Sequence, residues 1–437
     1  MSRYLFTALP SNDFGLLTRS LPIARELKLV GHEVAFCHPA RGPQILIREA
    51  GFENLLHDDP LYHLPNENLY RLLKRGKALR TLKVLAGMIG GMRNMRRLMA
   101  DIRNADDFNA LILNNTELTC ANVDALADII KSFRADAVVD FWNPWACIAA
   151  KSLKKPLITV ISSFQHPQSP GIIWWKDIPS SIPSPVPFTN EILDQYGLPA
   201  IHSTCDLFLG DLTLVLGAPE LDPLPDSARV TYIGSVLWQN PEMPIPEWMG
   251  ELKADRPVVW IYPGKLQYKS ADRQGRVLLR AAIQVLAKED VQVVLTTGYN
   301  DLPRSFLPLP PNFRLEPFVP GLAMAERSDL MIHHGGYGSC QTGLSTGTPA
   351  VIIPTFSERE CNARRVIEQG AGEMVLPAYE KSGKRMRIDA AELTDKVRKV
   401  LSAASYKENA QRISTRLKEY GGAPKAARLI EKVNDRS

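Results

Sequence analysis

Buried strands and amphipathic helices alternate along both halves of the chain, and this alternation constrains the fold more than any other feature. Residues 4–9 and 33–37 are apolar, strand-like runs, and residues 16–30 between them carry apolar side chains at helical spacing. Strand-like runs at 137–140 and 157–161 are again separated by a helix-like stretch. Strands connected through helices pair in parallel, with helices on both faces of the sheet. The predicted fold class is therefore α/β, with doubly wound sheets.

A proline-rich window separates two such regions. Seven prolines fall between Pro219 and Pro257, which is typical of a linker between domains. The alternation then restarts at residues 258–262, and a chain of 437 residues is too long for one ordinary core. We predict one doubly wound domain over 1–218, a linker over 219–257 and a second domain from residue 258.

Cysteine usage and hydropathy indicate the class of protein. The six cysteines include no C-x-x-C pair and no His/Cys metal spacing, a pattern typical of buried free thiols in a reducing compartment. No apolar stretch approaches the ~20 residues of a membrane span, and we find no signal-peptide pattern at the start. We expect a cytoplasmic globular protein without a nucleic-acid partner.

Charge is concentrated in residues 71–103, which hold ten Lys and Arg residues against the single acid Asp101. That segment carries +9 while the rest of the chain sums to −4. Its interleaved leucines and methionines favour a pair of solvated helices packed on the core. The alternative is a basic amphipathic surface that makes peripheral contact with an anionic membrane.

The stretch HHGGYGSCQTG, residues 333–343, lies between an apolar run at 330–332 and a helix predicted to begin near Ser339. Its glycines allow the backbone to approach a ligand closely. N–H groups at a helix start, together with His334 and Ser339, suit a phosphate. A glycine-rich loop with an ordinary serine N-cap is the structural alternative, because short glycine motifs are weak evidence.

The wider context PNFRLEPFVPGLAMAERSDLMIHHGGYGSCQTGLSTGTPAVIIPTFSERECNARRVIEQGAG resembles the donor-binding signature of the family 1, UDP-glycosyltransferase-like glycosyltransferases. The shared pattern runs from aromatic-x-Pro through H-G-G-x-G-S and G-x-P to an acidic-Gln pair, N-A and G-x-G. The resemblance also covers VGHEVAFCHPA, DAVVDFWNPWACIAAKSLKKPLITV, YIGSVLW and GGAPKAARLIEKV. It therefore spans essentially the whole chain.

The resemblance implies the GT-B architecture, in which two Rossmann-like domains face each other across a cleft. The C-terminal domain, 258–410, would bind a nucleotide-sugar, and a helix within 411–437 would cross back to the N-terminal, acceptor-binding domain. It also implies inverting transfer of a sugar from the nucleotide diphosphate to an acceptor. Because the chain contains no D-x-D triplet, we expect neither a metal nor another cofactor.

The resemblance implies roles for individual donor-site residues. Phosphate contacts would come from His334, Ser339 and the amides of Gly336 and Gly338. Base contacts would come from the Phe318 ring and the Val319 backbone, and sugar contacts from Glu358 and Arg359. The loops after the first strand of each domain would contribute Gly15, Gly264 and the positively charged Lys265.

Two departures bear on the donor. Thr342 stands where the family has a glutamate that accepts hydrogen bonds from both ribose hydroxyls, and the loss of such a charged bond costs ~1.5–3 kcal/mol. A dTDP-sugar lacks the 2′-hydroxyl and would lose less, which favours dTDP while leaving UDP open. Arg359 replaces the usual glutamine, either as a surface partner of Glu358 or as a clamp on an acidic or unusual sugar.

A third departure concerns the catalytic base. Leu16 occupies the place of the family's histidine, and leucine cannot accept a proton. We rank Asp13 first as the replacement, then Asp140 and then His166. Each has a structural alternative: Asp13 as a helix N-cap, Asp140 as a strand-end cap and His166 as a loop histidine. An acceptor acidic enough to need no strong base also fits.

The acceptor region is predicted from the proline-rich segment 166–188 and its aromatic side chains. In the resemblance this region lines the acceptor pocket, to which Leu16, Trp174 and Trp175 are assigned. The composition suggests a small hydrophobic acceptor such as a natural product or a lipid. Two other functions stay open, namely a catalytically silent nucleotide-sugar binder and a peripheral-membrane enzyme that forms glycolipids.

Overall fold

The computed structural model describes residues 1–12, 14–59, 61–62, 102–252, 254–264, 269–298, 300–379 and 386–434. These residues form two compact units, one of Met1–Trp238 with Tyr420–Ser437 and one of Gln239–Glu419. Asp13, Lys265 and most of the basic segment, residues 71–101, lie outside the described residues.

The first unit is built on a seven-stranded parallel sheet. Its strands are β1 (Arg3–Ala8), β2 (Glu33–Cys37), β3 (Glu53–Asn54), β4 (Ala137–Phe141), β5 (Leu157–Ile161), β6 (Leu212–Val215) and β7 (Thr231–Tyr232). Their order in the sheet is β3-β2-β1-β4-β5-β6-β7. The described helices are α1 (Leu17–Leu29), α2 (Arg41–Glu49), α3 (Ala105–Asn109), α4 (Thr116–Ser132), α5 (Pro144–Ser152) and α6 (Val186–Gln195).

The second unit contains a six-stranded parallel sheet and a small antiparallel pair. The large sheet has the order β10-β9-β8-β11-β12-β13. Its strands are β8 (Val258–Tyr262), β9 (Gln292–Thr296), β10 (Phe313–Glu316), β11 (Leu330–His333), β12 (Ala350–Ile352) and β13 (Gly372–Met374), and the pair is β14 (Ala378–Tyr379) with β15 (Met386–Arg387). The described helices are α7 (Lys269–Leu286), α8 (Gly321–Glu326), α9 (Tyr337–Thr346), α10 (Ser357–Glu368), α11 (Ala390–Ser402) and α12 (Ala404–Glu419).

A last helix, α13 (Gly422–Asn434), belongs to the first unit and packs against α1. The Gly422 N–H donates to the Ile233 carbonyl at 2.7 Å, and the His32 ring lies 3.0 Å from a carboxylate oxygen of Glu431. The division between the units falls between Trp238 and Gln239, inside the predicted linker, whose first part contains β7.

Burial explains why the strands are continuous apolar runs. All five residues of β4 and of β5 are buried, as expected for parallel strands covered on both faces by helices. In the second unit, the side chains of β8, β9 and β11 share one apolar core with α7 and α11. The predicted α/β class is confirmed. No helix among the described residues is long and apolar enough to cross a membrane.

Strand register brings the candidate residues to one edge of each sheet. Thr7 of β1 lies opposite Asp140 of β4, so the loops that follow these strands are neighbours. His333, the last residue of β11, pairs with Tyr262 of β8 and with Ile352 of β12. Since ligands of such sheets bind at the carboxyl ends of the strands, these edges are where a site is expected.

Candidate functional site

The turn between β11 and α9 presents a helix N-terminus at the edge of the second sheet. The predicted start near Ser339 is two residues late, because Gly336 takes extended angles and serves as the N-cap, with Tyr337 the first helical residue. The first N–H groups of a helix have no intrahelical acceptor and carry partial positive charge. A Cβ at Gly338 would meet no atom within 4 Å, so open space lies beside this first turn. Ser339 is partly exposed in the same turn.

The imidazole of His334 is held between two glycines. A Cβ at Gly264 would lie 2.9 Å from His334 Cε1, and a Cβ at Gly336 would lie 2.6 Å from Nε2. Any other residue at either position would displace the ring. The ring of Tyr262 contacts the imidazole edge to face, with 5.9 Å between centroids. The structure thus brings together Gly264, His334 and Gly336, three of the residues predicted for the donor site.

The surroundings of His334 favour the neutral form of its ring. Burial lowers its pKa well below the usual value, and the charge of Arg359 and the proximity of His333 lower it further. The residue is 9% exposed, and its Nδ1 has no hydrogen-bond partner among the described residues. A backbone hydrogen bond with Tyr262 opposes these effects on the pKa, and an anionic ligand at this turn would pair with Nδ1 when that nitrogen carries the proton of the ring.

Glu358 and Arg359 occupy the first turn of α10, which follows β12. The Arg359 guanidinium donates to Thr355 Oγ1 and lies 4.3 Å above the Phe356 ring. Glu358 accepts a hydrogen bond of 2.7 Å from Asn362 Nδ2. Arg359 therefore adds positive charge close to His334, in keeping with its effect on the pKa of that histidine.

Thr342 lies one turn beyond Gly338 on α9, where its hydroxyl donates to the Gly338 carbonyl at 2.9 Å. The hydroxyl hydrogen is therefore used within the helix, while the oxygen can still accept a hydrogen bond.

In the loop after β10, the Phe318 side chain is 40% exposed and Val319 is buried. An exposed ring at this edge suits stacking on a base.

Asp140 lies at the end of β4 and is fully buried. Its carboxylate accepts hydrogen bonds from Thr7 Oγ1 at 2.5 Å, from the Asn143 N–H at 3.0 Å and from Cys147 Sγ at 3.3 Å. Burial raises its pKa to about 7 despite these bonds. The side chain therefore anchors the loop after β4 and exposes no oxygen to an acceptor, and its catalytic role stays a prediction.

His166 is also buried, and burial lowers its pKa, with Asp206 as the opposing influence. Its Nδ1 accepts the Gln168 N–H at 3.2 Å, which leaves the proton of the neutral ring on Nε2. His166 stays a candidate base.

Leu16 is the N-cap residue of α1 and, like Gly15, is partly exposed.

Two pairs of aromatic side chains occur in the loops that follow β4 and β5. Trp174 and Trp175 are partly exposed and contact each other edge to face at 4.9 Å. Sequence reasoning missed two others, Trp142 directly after β4 and Phe164 after β5, whose ring centroids are 5.4 Å apart. Their position immediately after predicted strands was the signal that could have identified them.

Among the described residues, no group of three or more His, Cys, Asp or Glu side chains could hold a metal ion. The expectation that no metal or other cofactor is needed stays a prediction.

Comparison with known proteins gives the class of this chain. Residues 280–434 match the C-terminal domain of Erythromycin biosynthesis protein CIII-like proteins. The chain is 32% identical over 249 residues to 4'-demethylrebeccamycin synthase of Lentzea aerocolonigenes, a match that covers 55% of each protein. It is 25% identical over 418 residues to a PGL/p-HBAD biosynthesis rhamnosyltransferase of Mycobacterium bovis, covering 91% of this chain and 80% of that one.

The fold comparison extends over the whole chain. The structure of the spinosyn rhamnosyltransferase SpnG complexed with thymidine diphosphate superposes with a TM-score of 0.68 at 18% identity, covering 98% of this chain and 100% of that one. The fold is thus that of the GT-B glycosyltransferases. These similarities agree with the resemblance to the family 1, UDP-glycosyltransferase-like glycosyltransferases.

Proposed function

We propose that the protein transfers a sugar from a nucleotide diphosphate, preferably dTDP, to a small hydrophobic acceptor. The observation that carries this proposal is the turn after β11, where the buried His334 has an unpartnered Nδ1 beside the N-terminus of α9. A ten-residue helix with open space at its first turn is a natural site for a diphosphate.

In the proposed reaction, the acceptor attacks the anomeric carbon as the bond from that carbon to the diphosphate oxygen breaks. A single displacement of this kind inverts the configuration. Negative charge grows on the departing diphosphate, and the α9 amides, the Ser339 hydroxyl and a His334 N–H would stabilise it there. Arg359 would supply positive charge, so the proposed reaction needs no metal.

The acceptor loses its proton to a base in the first unit. Asp13, Asp140 and His166 remain the predicted candidates, and Leu16 cannot serve. Neither of the two described candidates exposes its side chain, and Asp13 lies outside the described residues. An acceptor with an acidic hydroxyl could transfer its proton even to a weak base.

Thr342 supports dTDP as the carrier. Its hydroxyl hydrogen is bound to the Gly338 carbonyl, and its single oxygen cannot replace a carboxylate that accepts from two ribose hydroxyls. The SpnG structure with thymidine diphosphate supports the same carrier. The names of the two relatives support an acceptor of the natural-product or glycolipid type.

Calorimetric titration with dTDP and UDP tests this donor preference. We expect the native protein to bind dTDP more tightly, and Thr342→Glu to regain ~1.5–3 kcal/mol of UDP binding through the second ribose hydroxyl. Thr394→Glu is the matched control, because Thr394 makes the same hydrogen bond to the carbonyl four residues earlier in α11. Equal or UDP-favoured binding by the native protein would refute the preference for dTDP.

Slow release of dTDP from a dTDP-sugar without acceptor distinguishes an enzyme from a silent binder. Membrane contact through residues 71–103 stays a prediction, because most of that segment lies outside the described residues.

A further inference from the structure

Asn362 on α10 bridges the phosphate turn and the residue assigned to the sugar. Its Nδ2 donates to the Gly335 carbonyl at 2.9 Å and to Glu358 Oε1 at 2.7 Å. The side-chain amide has two hydrogens, and both are used. Flipping the amide would place its oxygen against a carbonyl and a carboxylate, so the hydrogen bonds fix its orientation. Asn362 is only 7% exposed, which shields both bonds from water.

The Gly335 peptide is held from both sides. Its N–H donates to His333 Nδ1 at 3.1 Å, and its carbonyl receives Asn362. Its φ of +84° favours glycine, and a Cβ there would lie 2.7 Å from the Arg359 carbonyl oxygen. The backbone directly after His334 is thus packed on the first turn of α10.

We propose that Asn362 is a positioning residue that holds the Glu358 carboxylate in register with the phosphate turn. This inference rests on the proposed function, in which His334 contacts the diphosphate and Glu358 contacts the transferred sugar. One amide then links the two subsites. A nucleotide without a sugar does not contact Glu358 and is insensitive to the link, whereas a nucleotide-sugar depends on it.

Asn362→Leu tests the proposal, because leucine has a similar size and no hydrogen-bonding group. We expect dTDP affinity to fall by no more than about 10-fold in this variant, through the lost bond to the Gly335 carbonyl alone. Turnover of the dTDP-sugar that the native protein hydrolyses fastest should fall by about 10- to 100-fold in kcat/KM, since a hydrogen bond to a charged group is lost. Asn362→Asp should lose more, because it places a second carboxylate beside Glu358.

Asn409→Leu is the matched control. Asn409 Nδ2 donates to the carbonyl of Gly370, which follows α10 and also has positive φ, at 3.4 Å. This variant removes the same type of bond far from Glu358 and should retain native turnover. In a Glu358→Ala background, Asn362→Leu should reduce turnover only as much as it reduces dTDP affinity, because the group it positions is gone and only the bond to the Gly335 carbonyl is left to lose.

Parallel losses of dTDP binding and turnover in Asn362→Leu would overturn the proposal, since Asn362 would then serve the phosphate turn alone. A loss of turnover in the Glu358→Ala background that exceeds the loss of dTDP affinity, or native turnover in Asn362→Leu, would also overturn it. Failure of the native protein to bind either dTDP or UDP would instead refute the proposed function on which the inference rests.

Discussion

Replacing Gly264 by alanine should impair nucleotide binding through a single displaced ring. The new Cβ would lie 2.9 Å from His334 Cε1 and 3.0 Å from both ring nitrogens, closer than such contacts allow. The Gly336 side of the ring is equally tight, so the imidazole must leave its position between the two glycines. Its hydrogen bond to the diphosphate would then be lost.

The expected size of the effect follows from that bond. A hydrogen bond to a charged group contributes ~1.5–3 kcal/mol, so dTDP affinity should fall by about 10- to 100-fold. The folded state should also lose ~1–2 kcal/mol, because Gly264 has a φ of +87°, in the left-handed region that disfavours a Cβ. Calorimetry measures the first effect, and urea unfolding measures the second.

Gly31→Ala separates the two effects. Gly31 has a φ of +92°, and a Cβ there would meet nothing within 4 Å. This control should lose a similar amount of stability and keep native dTDP affinity. If Gly264→Ala also kept native affinity, the assignment of His334 to the diphosphate would be refuted. Equal losses of affinity in both variants would attribute the effect to backbone strain and would likewise refute the reasoning.

Three further predictions concern the donor helix and the pH dependence of stability. Gly338→Ala should raise the free energy of unfolding by up to ~1 kcal/mol, because alanine has the better helix propensity. The same change should weaken dTDP binding, because the new methyl group fills the open space beside the first turn of α9. Unchanged dTDP binding in calorimetry would mean that the phosphate binds elsewhere. Burial lowers the pKa of His38 to about 4, so the unfolded chain takes up its proton near pH 6.5 before the native state does, and stability should fall as pH drops from 6.5 towards 4. His38→Gln should reduce that slope by up to ~1.4 kcal/mol per pH unit in urea unfolding, and an unaltered slope would contradict the pKa assignment. Asp140 acts in the opposite sense, because its raised pKa of about 7 makes stability decline as pH rises from 3.8 towards 7.

Much of the fold could be predicted because parallel strands are apolar throughout. Residues 33–37, 157–161 and 258–262 are strands with the predicted limits. The strand β10 was not predicted, because its residues are only partly buried or exposed and its pattern FRLE has little apolar signal. Short edge strands such as β7 are similarly hard to predict, since two residues carry almost no periodicity.

Less of the candidate site could be predicted, because its geometry depends on tertiary contacts. The glycine spacing indicated an anion site at 333–343, but nothing local shows that Gly264 packs on the ring of His334. Likewise, Asp140 ends the predicted strand 137–140, and the sequence suggests an accessible carboxylate there. Only the register of β1 against β4 shows that Thr7 covers it.

The most direct test of the central claim is release of dTDP from a dTDP-sugar by the purified protein in the presence of EDTA. The account predicts that release persists under chelation and falls by about 100- to 1,000-fold in His334→Ala, as when one donor that stabilises developing charge is removed. No release from any nucleotide-sugar, or full release by His334→Ala, would contradict it.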